Sequence, residues 1–133
     1  MIAPCEVAVR SVVPAVKALV ANELVEKHGL KQDEVAELLG ISQSAVSKYT
    51  RKTRGHVIKV DDIEDIRPLI SKMIVLLLSG NYQRQELLSS FCQTCVAIRK
   101  KNLMCKFCRK TDPHIVIEEC SFCLVYYPHV SKR

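Results

Sequence analysis

Residues 30–49 read Leu-Lys-Gln-Asp-Glu-Val-Ala-Glu-Leu-Leu-Gly-Ile-Ser-Gln-Ser-Ala-Val-Ser-Lys-Tyr, and they leave little freedom of local structure. Residues 32–39 predict a helix with Val35, Ala36 and Leu39 turned inward and Asp33 and Glu34 at its positive end. Gly40 stops that helix, because a tight turn there needs a residue tolerant of positive φ. Ser42 then caps a second helix running to about Arg51, since its hydroxyl accepts from amides two or three residues on. Ala36 is small where the two helices come closest, Ile41 plugs the turn, and Val46 anchors the second helix to the first.

With those positions buried, Gln43, Ser44, Ser47 and Lys48 must face outward. Their ends suit base edges and phosphates: Gln can bond adenine twice, and Ser can bond either sort of group. Gln32 opens the preceding helix, where its side chain and the first amides could hold a phosphate. Between residues 47 and 60 stand five bases, Lys48, Arg51, Lys52, Arg54 and Lys59, and no acid. Arg51, Lys52 and Arg54 are expected along a nucleic-acid backbone, which would make affinity fall with salt. The pattern is that of a helix-turn-helix on double-stranded DNA, against the bland alternative of an ordinary α-hairpin with a glycine turn.

The flanking helices follow from apolar spacing. Residues 15–27 form one helix, with Pro14 in its first turn and Gly29 after its end. A further amphipathic segment starts at Asp61 or Asp62, carries Ile63, Ile66, Ile70, Met73, Ile74 and Leu77, and is kinked or divided at Pro68. Gly80 and Asn81 end it, and residues 83–91 read as a last short helix. The 48% apolar content excludes a disordered tail, and 133 residues are too few for a (β/α)8 barrel. The longest apolar run, residues 73–78, is far short of a membrane span, and no charged n-region precedes an apolar stretch. The expectation is therefore a cytoplasmic protein without a membrane contact.

Six of the seven cysteines fall in three C-x-x-C pairs, Cys92/Cys95, Cys105/Cys108 and Cys120/Cys123. Two intervening residues let both thiolates of a pair reach one metal, and a reducing compartment argues against a disulfide framework. The fold expected is mainly α: a helix-turn-helix bundle over residues 1–90, followed by a small cysteine-rich metal-binding module over residues 91–133. An iron–sulfur cluster is ranked ahead of zinc, since six paired thiols exceed one zinc site and no knuckle glycine follows the second Cys of any pair. A metal-free thiol switch ranks third. Lys106, Arg109 and Lys110 are expected to stabilise thiolates, and His114 or His129 could replace one. Cys5 reads as a buried small residue, and His28 and His56 as cap or loop residues.

Residues 30–49, with Pro4-Cys-Glu-Val-Ala-Val9 and Val13-Pro-Ala-Val16, closely resemble the phage-repressor, Xre-like family, in an archaeal branch of predicted transcriptional regulators. The resemblance covers about residues 3–58. It implies a compact helical bundle, recognition by the helix starting at Ser42, and a homodimer on a pseudo-palindromic operator. Lys31 departs from the Ser or Thr cap common in the family. In that branch the same module is also fused to a thiamine-phosphate synthase domain, for which this chain is far too short.

The function expected is a transcription regulator whose cysteine module senses redox or metal state. The alternatives are a zinc-ribbon-type interaction factor of the transcription or RNA machinery and, last, a thiol oxidoreductase, which would lack its usual βαβ context. No Ser/His/Asp grouping, paired catalytic carboxylates or Gly-rich phosphate loop is present, so no enzymatic activity is expected.

Overall fold

The computed structural model describes residues 2–51, 58–60 and 62–125. Eight α-helices follow one another among the described residues, which contain no strand: α1 (Pro4–Arg10), α2 (Val12–Glu26), α3 (Gln32–Leu39), α4 (Gln43–Thr50), α5 (Arg67–Ser79), α6 (Arg84–Lys100), α7 (Cys105–Thr111) and α8 (Phe122–Val125). A 3-10 turn, Glu64–Ile66, leads into α5. The expected mainly helical architecture is what the described residues adopt, and no described helix is long and apolar enough to cross a membrane.

The organising element is α2, which packs against α1, α3, α4, α5 and α6. Val12, Ala15, Val16, Ala18, Val20, Ala21 and Leu24 are all buried on it. Its run of alanines and valines lets several neighbours approach closely, and the larger Leu24, Ile66, Ile70, Met73 and Leu77 fill the space between. α2 begins three residues before the predicted start. Pro14 is tolerated at its third position because the first four amides of a helix have no partner within it.

Residues before α2 form α1, a helix the sequence pattern did not reveal. The two are separated at Ser11, which is buried and donates its hydroxyl to the Val7 carbonyl at 2.8 Å. The chain bends there, and α1 turns to pack on α7. Pro68 neither kinks nor divides a helix: it lies in the first turn of α5, where a fixed φ and a missing donor cost nothing. At the other end, Gly80 closes α5 with φ of 67°.

α6 departs most from expectation. It does not stop at Phe91 but continues to Lys100, so the 90/91 boundary falls inside it. Ile98 and Met104 pack into the same core cluster as Val12, Val46 and Ile70. A part-buried ion pair crosses the bundle: Glu23 of α2 accepts from Arg67 of α5 and lies 3.5 Å from Lys27. Burial pushes the Glu23 carboxyl up, but Arg67 and then Lys27 outweigh it and hold the group below the usual carboxylate range.

Candidate nucleic-acid interface and the cysteine array

The two helices of the motif are joined as their residues dictate. Gly40 adopts φ 66°, ψ 34°, and the Ile41 amide reaches back to the Ala36 carbonyl at 3.1 Å, a bond that closes the end of α3. Ser42 then takes an extended conformation, and its hydroxyl accepts from the Ala45 amide at 3.0 Å. At Lys31 the side chain supplies no acceptor. The compensating half of the cap is present instead, with the Lys31 amide donating to Glu34 Oε1 at 3.0 Å.

Val46 is fully buried and Tyr49 nearly so, which fixes the rotation of α4. Gln43, Ser44 and Lys48 are in consequence exposed, and Ser47 is half-buried. Ser42, the capping residue, is exposed beside them. Arg51 is exposed at the end of α4, its Nε donating to the Ser47 carbonyl at 3.4 Å. Gln32 stands at the first position of α3. It is half-buried, and its carboxamide donates to Thr50 Oγ1 at 3.2 Å, tying the start of α3 to the end of α4. Lys52, Arg54 and His56 lie outside the described residues, as does His129.

The cysteines are all free thiols. Cys92 and Cys95 occupy successive turns of α6, and Cys105 and Cys108 those of α7. Cys120 precedes α8 and Cys123 lies within it. The array splits unevenly. Burial first, then the neighbouring Cys123, push the Cys105 and Cys108 thiols up, and Cys120 adds to both. The second pair therefore lies within reach of the third. Cys95 stands apart from them with Cys92: burial, with Cys92 next, pushes its thiol up to about 12. Among the described residues, no three His, Cys, Asp or Glu side chains are gathered closely enough to hold a metal ion.

The cation at the sulfurs is one that the sequence reading missed. Arg99 is nearly buried, its Nε donating to Cys123 Sγ at 3.3 Å and its Nη1 to Cys5 Sγ at 3.9 Å. It also acts to lower the Cys95 and Cys108 thiols. The signal was available: Arg99 follows Cys92 and Cys95 at helical spacing and shares their face once α6 is allowed to continue. Two of the expected bases have other contacts. Lys106 lies 5.1 Å from the centre of the Phe107 ring, and Arg109 pairs with Glu118 at 3.4 Å. Cys5 is exposed rather than buried.

Comparison with curated proteins and with solved structures found no match. A family model described as Helix-turn-helix matches residues 22–56, from the second half of α2 to beyond α4. That match supports the phage-repressor-type resemblance and, with it, a DNA-binding regulator. The segment formed by α3, the Gly40 turn and α4 is a helix-turn-helix.

Proposed function

We propose that the chain is a sequence-specific transcription regulator that reads double-stranded DNA with α4 and performs no catalysis. The observation that carries this reading is the rotation of α4. Val46 and Tyr49 face the core, and Gln43, Ser44 and Lys48 are presented outward beside a half-buried Ser47. Carboxamide, hydroxyl and ammonium groups on one face of a helix suit base edges and phosphates of a major groove. Ser42 and Arg51 flank that face, and Lys52 and Arg54 extend its positive charge along the sequence. A homodimer in the cytoplasm would present two such faces about one helical turn of DNA apart. Selection of bound duplexes from a random pool tests the reading: a palindromic consensus is expected, and failure to enrich any sequence overturns it.

The finer part of the reading is that the cysteines hold a metal centre, an iron–sulfur cluster ahead of zinc. The donors suit either, being soft thiols in C-x-x-C pairs. Cys120 and Cys123 lie near enough to act on the Cys105 and Cys108 thiols, which favours these four as the ligand set, and the nearly buried Arg99 guanidinium supplies a counter-charge. Since these thiols are not gathered around one point, binding would have to draw α7 and α8 together. Bound, an iron–sulfur cluster would supply a one-electron couple and zinc would supply cohesion alone. Metal content and visible absorption of anaerobically purified protein separate the two, and protein with no bound metal overturns both.

A further inference from the structure

A cavity of about 300 Å³ opens between the DNA-reading helices and the helices that support them. Its first wall is Val13, Lys17 and Val20 of α2 with Leu38 and Leu39 at the end of α3. Its second wall is Met73 and Leu77 of α5 with Leu87, Leu88 and Phe91 of α6. The volume is at the small end of the range of ligand pockets, roughly 300–1,000 Å³. A lining of this kind offers water almost no hydrogen bonds, so an apolar occupant is favoured over solvent. Lys17 is the one charged residue among those lining it. It is half-buried, and a side chain of this kind can lay its stem on apolar surface while its ammonium reaches for water. Leu88, 42% exposed, also marks the solvent side.

We propose that this cavity is an effector site for a monoanionic amphiphile, a medium-chain or aryl carboxylate whose apolar body fills the space and whose carboxylate pairs with Lys17. Charge selects the occupant: a carboxylate would be matched by the one charged residue of the lining, a neutral amphiphile would gain nothing from it, and a cation would be repelled. The site is placed to act on DNA binding. Leu38 and Leu39 are the last residues of α3, the Ile41 amide is bonded to Ala36 of the same helix, and Ser42 caps α4. A ligand that spreads the walls moves the end of α3, and the start of α4 moves with it. That consequence rests on the DNA-binding reading; the site itself does not.

The probes are decanoate, decanol and decylamine, titrated into the full chain without DNA and followed by methyl resonances of Leu38, Leu39, Met73 and Leu87. Decanoate is expected to shift these saturably and more tightly than decanol, with decylamine weakest. Lys17→Met is expected to weaken decanoate about tenfold and leave decanol unchanged. Leu88→Trp, at the exposed rim, is expected to block all three while the melting temperature holds. Absence of cavity shifts at millimolar decanoate overturns the site, whether the space is filled by a second copy of the chain or by its own residues after 125. Equal binding of decanoate and decanol overturns the anionic ligand. Decanoate that binds but leaves operator affinity unchanged overturns the coupling. Protein that binds decanoate but no DNA refutes the regulator reading instead.

Discussion

The side-chain amide of Asn22, in the second half of α2, donates to the backbone carbonyl of Tyr49, in the last turn of α4, at 3.3 Å. A carbonyl so near a helix end has no amide four residues on to accept from, and Asn22 supplies one from the scaffold. The bond fixes where α4 ends relative to α2. Asn22→Ala is expected to lower stability by about 1 kcal/mol and to weaken DNA binding in the same protein, read from urea melts and gel shifts. Unchanged values in both would show that this bond does not hold α4 in place.

Gln43 and Lys48 should part company in their effects. Gln43→Ala is expected to relax base preference at one operator position, a loss of about 1–3 kcal/mol of discrimination. Lys48→Ala is expected to weaken all duplexes alike and to flatten the salt dependence by roughly one phosphate contact. Both residues are exposed, so stability should stay within about 0.5 kcal/mol. Competition gel shifts at several salt concentrations distinguish the two patterns.

The turn offers a separate pair of tests. Ser42→Ala removes the acceptor of the Ala45 amide and should cost about 1 kcal/mol. A Cβ at Gly40 would meet nothing within 4 Å, so Gly40→Ala should cost only the left-handed conformation, about 1–2 kcal/mol. A much larger loss at Gly40 on thermal melting would mean that crowding, not backbone conformation, selects glycine there.

Glu23 makes stability depend on pH in a defined direction. Its pKa is depressed in the folded chain by Arg67 and Lys27, so the unfolded state binds more protons at acid pH. The contribution is present above the ordinary glutamate pKa and is lost as pH falls through the lower folded value. Glu23→Gln should therefore narrow the difference between neutral and acid melting temperatures. An unchanged pH profile would assign the acid sensitivity to other carboxylates.

Thiol reactivity should divide the first C-x-x-C pair. Cys95, pushed up to about 12 by burial and by Cys92, should alkylate far more slowly at mildly alkaline pH than the exposed Cys92. Mass spectrometry of peptides during iodoacetamide treatment follows both. If a metal is bound, Cys108→Ser should lower its stoichiometry and Cys92→Ser should not. The reverse pattern would move the ligand set onto α6.

The motif was legible because its signals are local. Gly40, Ser42 and the inward spacing of Val35, Ala36 and Val46 each act within a few residues, and α3 and α4 lie where those residues put them. α1 was not legible, since its seven residues are stabilised by the Ser11 bend and by packing on α7, neither visible as periodicity. The end of α6 was misplaced because the first C-x-x-C was read as a metal knuckle. The same spacing puts two residues about one turn apart on a helix, and the apolar contacts of Val96 and Ile98 decide between them. Arg99 went unnoticed for the same reason.

The seventeen residues of α6 form a rod of about 25 Å. The end near Leu87 borders the helix that positions the turn, and the far end carries the guanidinium between Cys5 and Cys123. Cutting the chain at 90/91 would sever this strut and strip a side from the bundle core. The surroundings of Arg99 and the rim of the cavity at Leu87 thus share one unbroken helix, and neither can be cut away without shortening the support of the other.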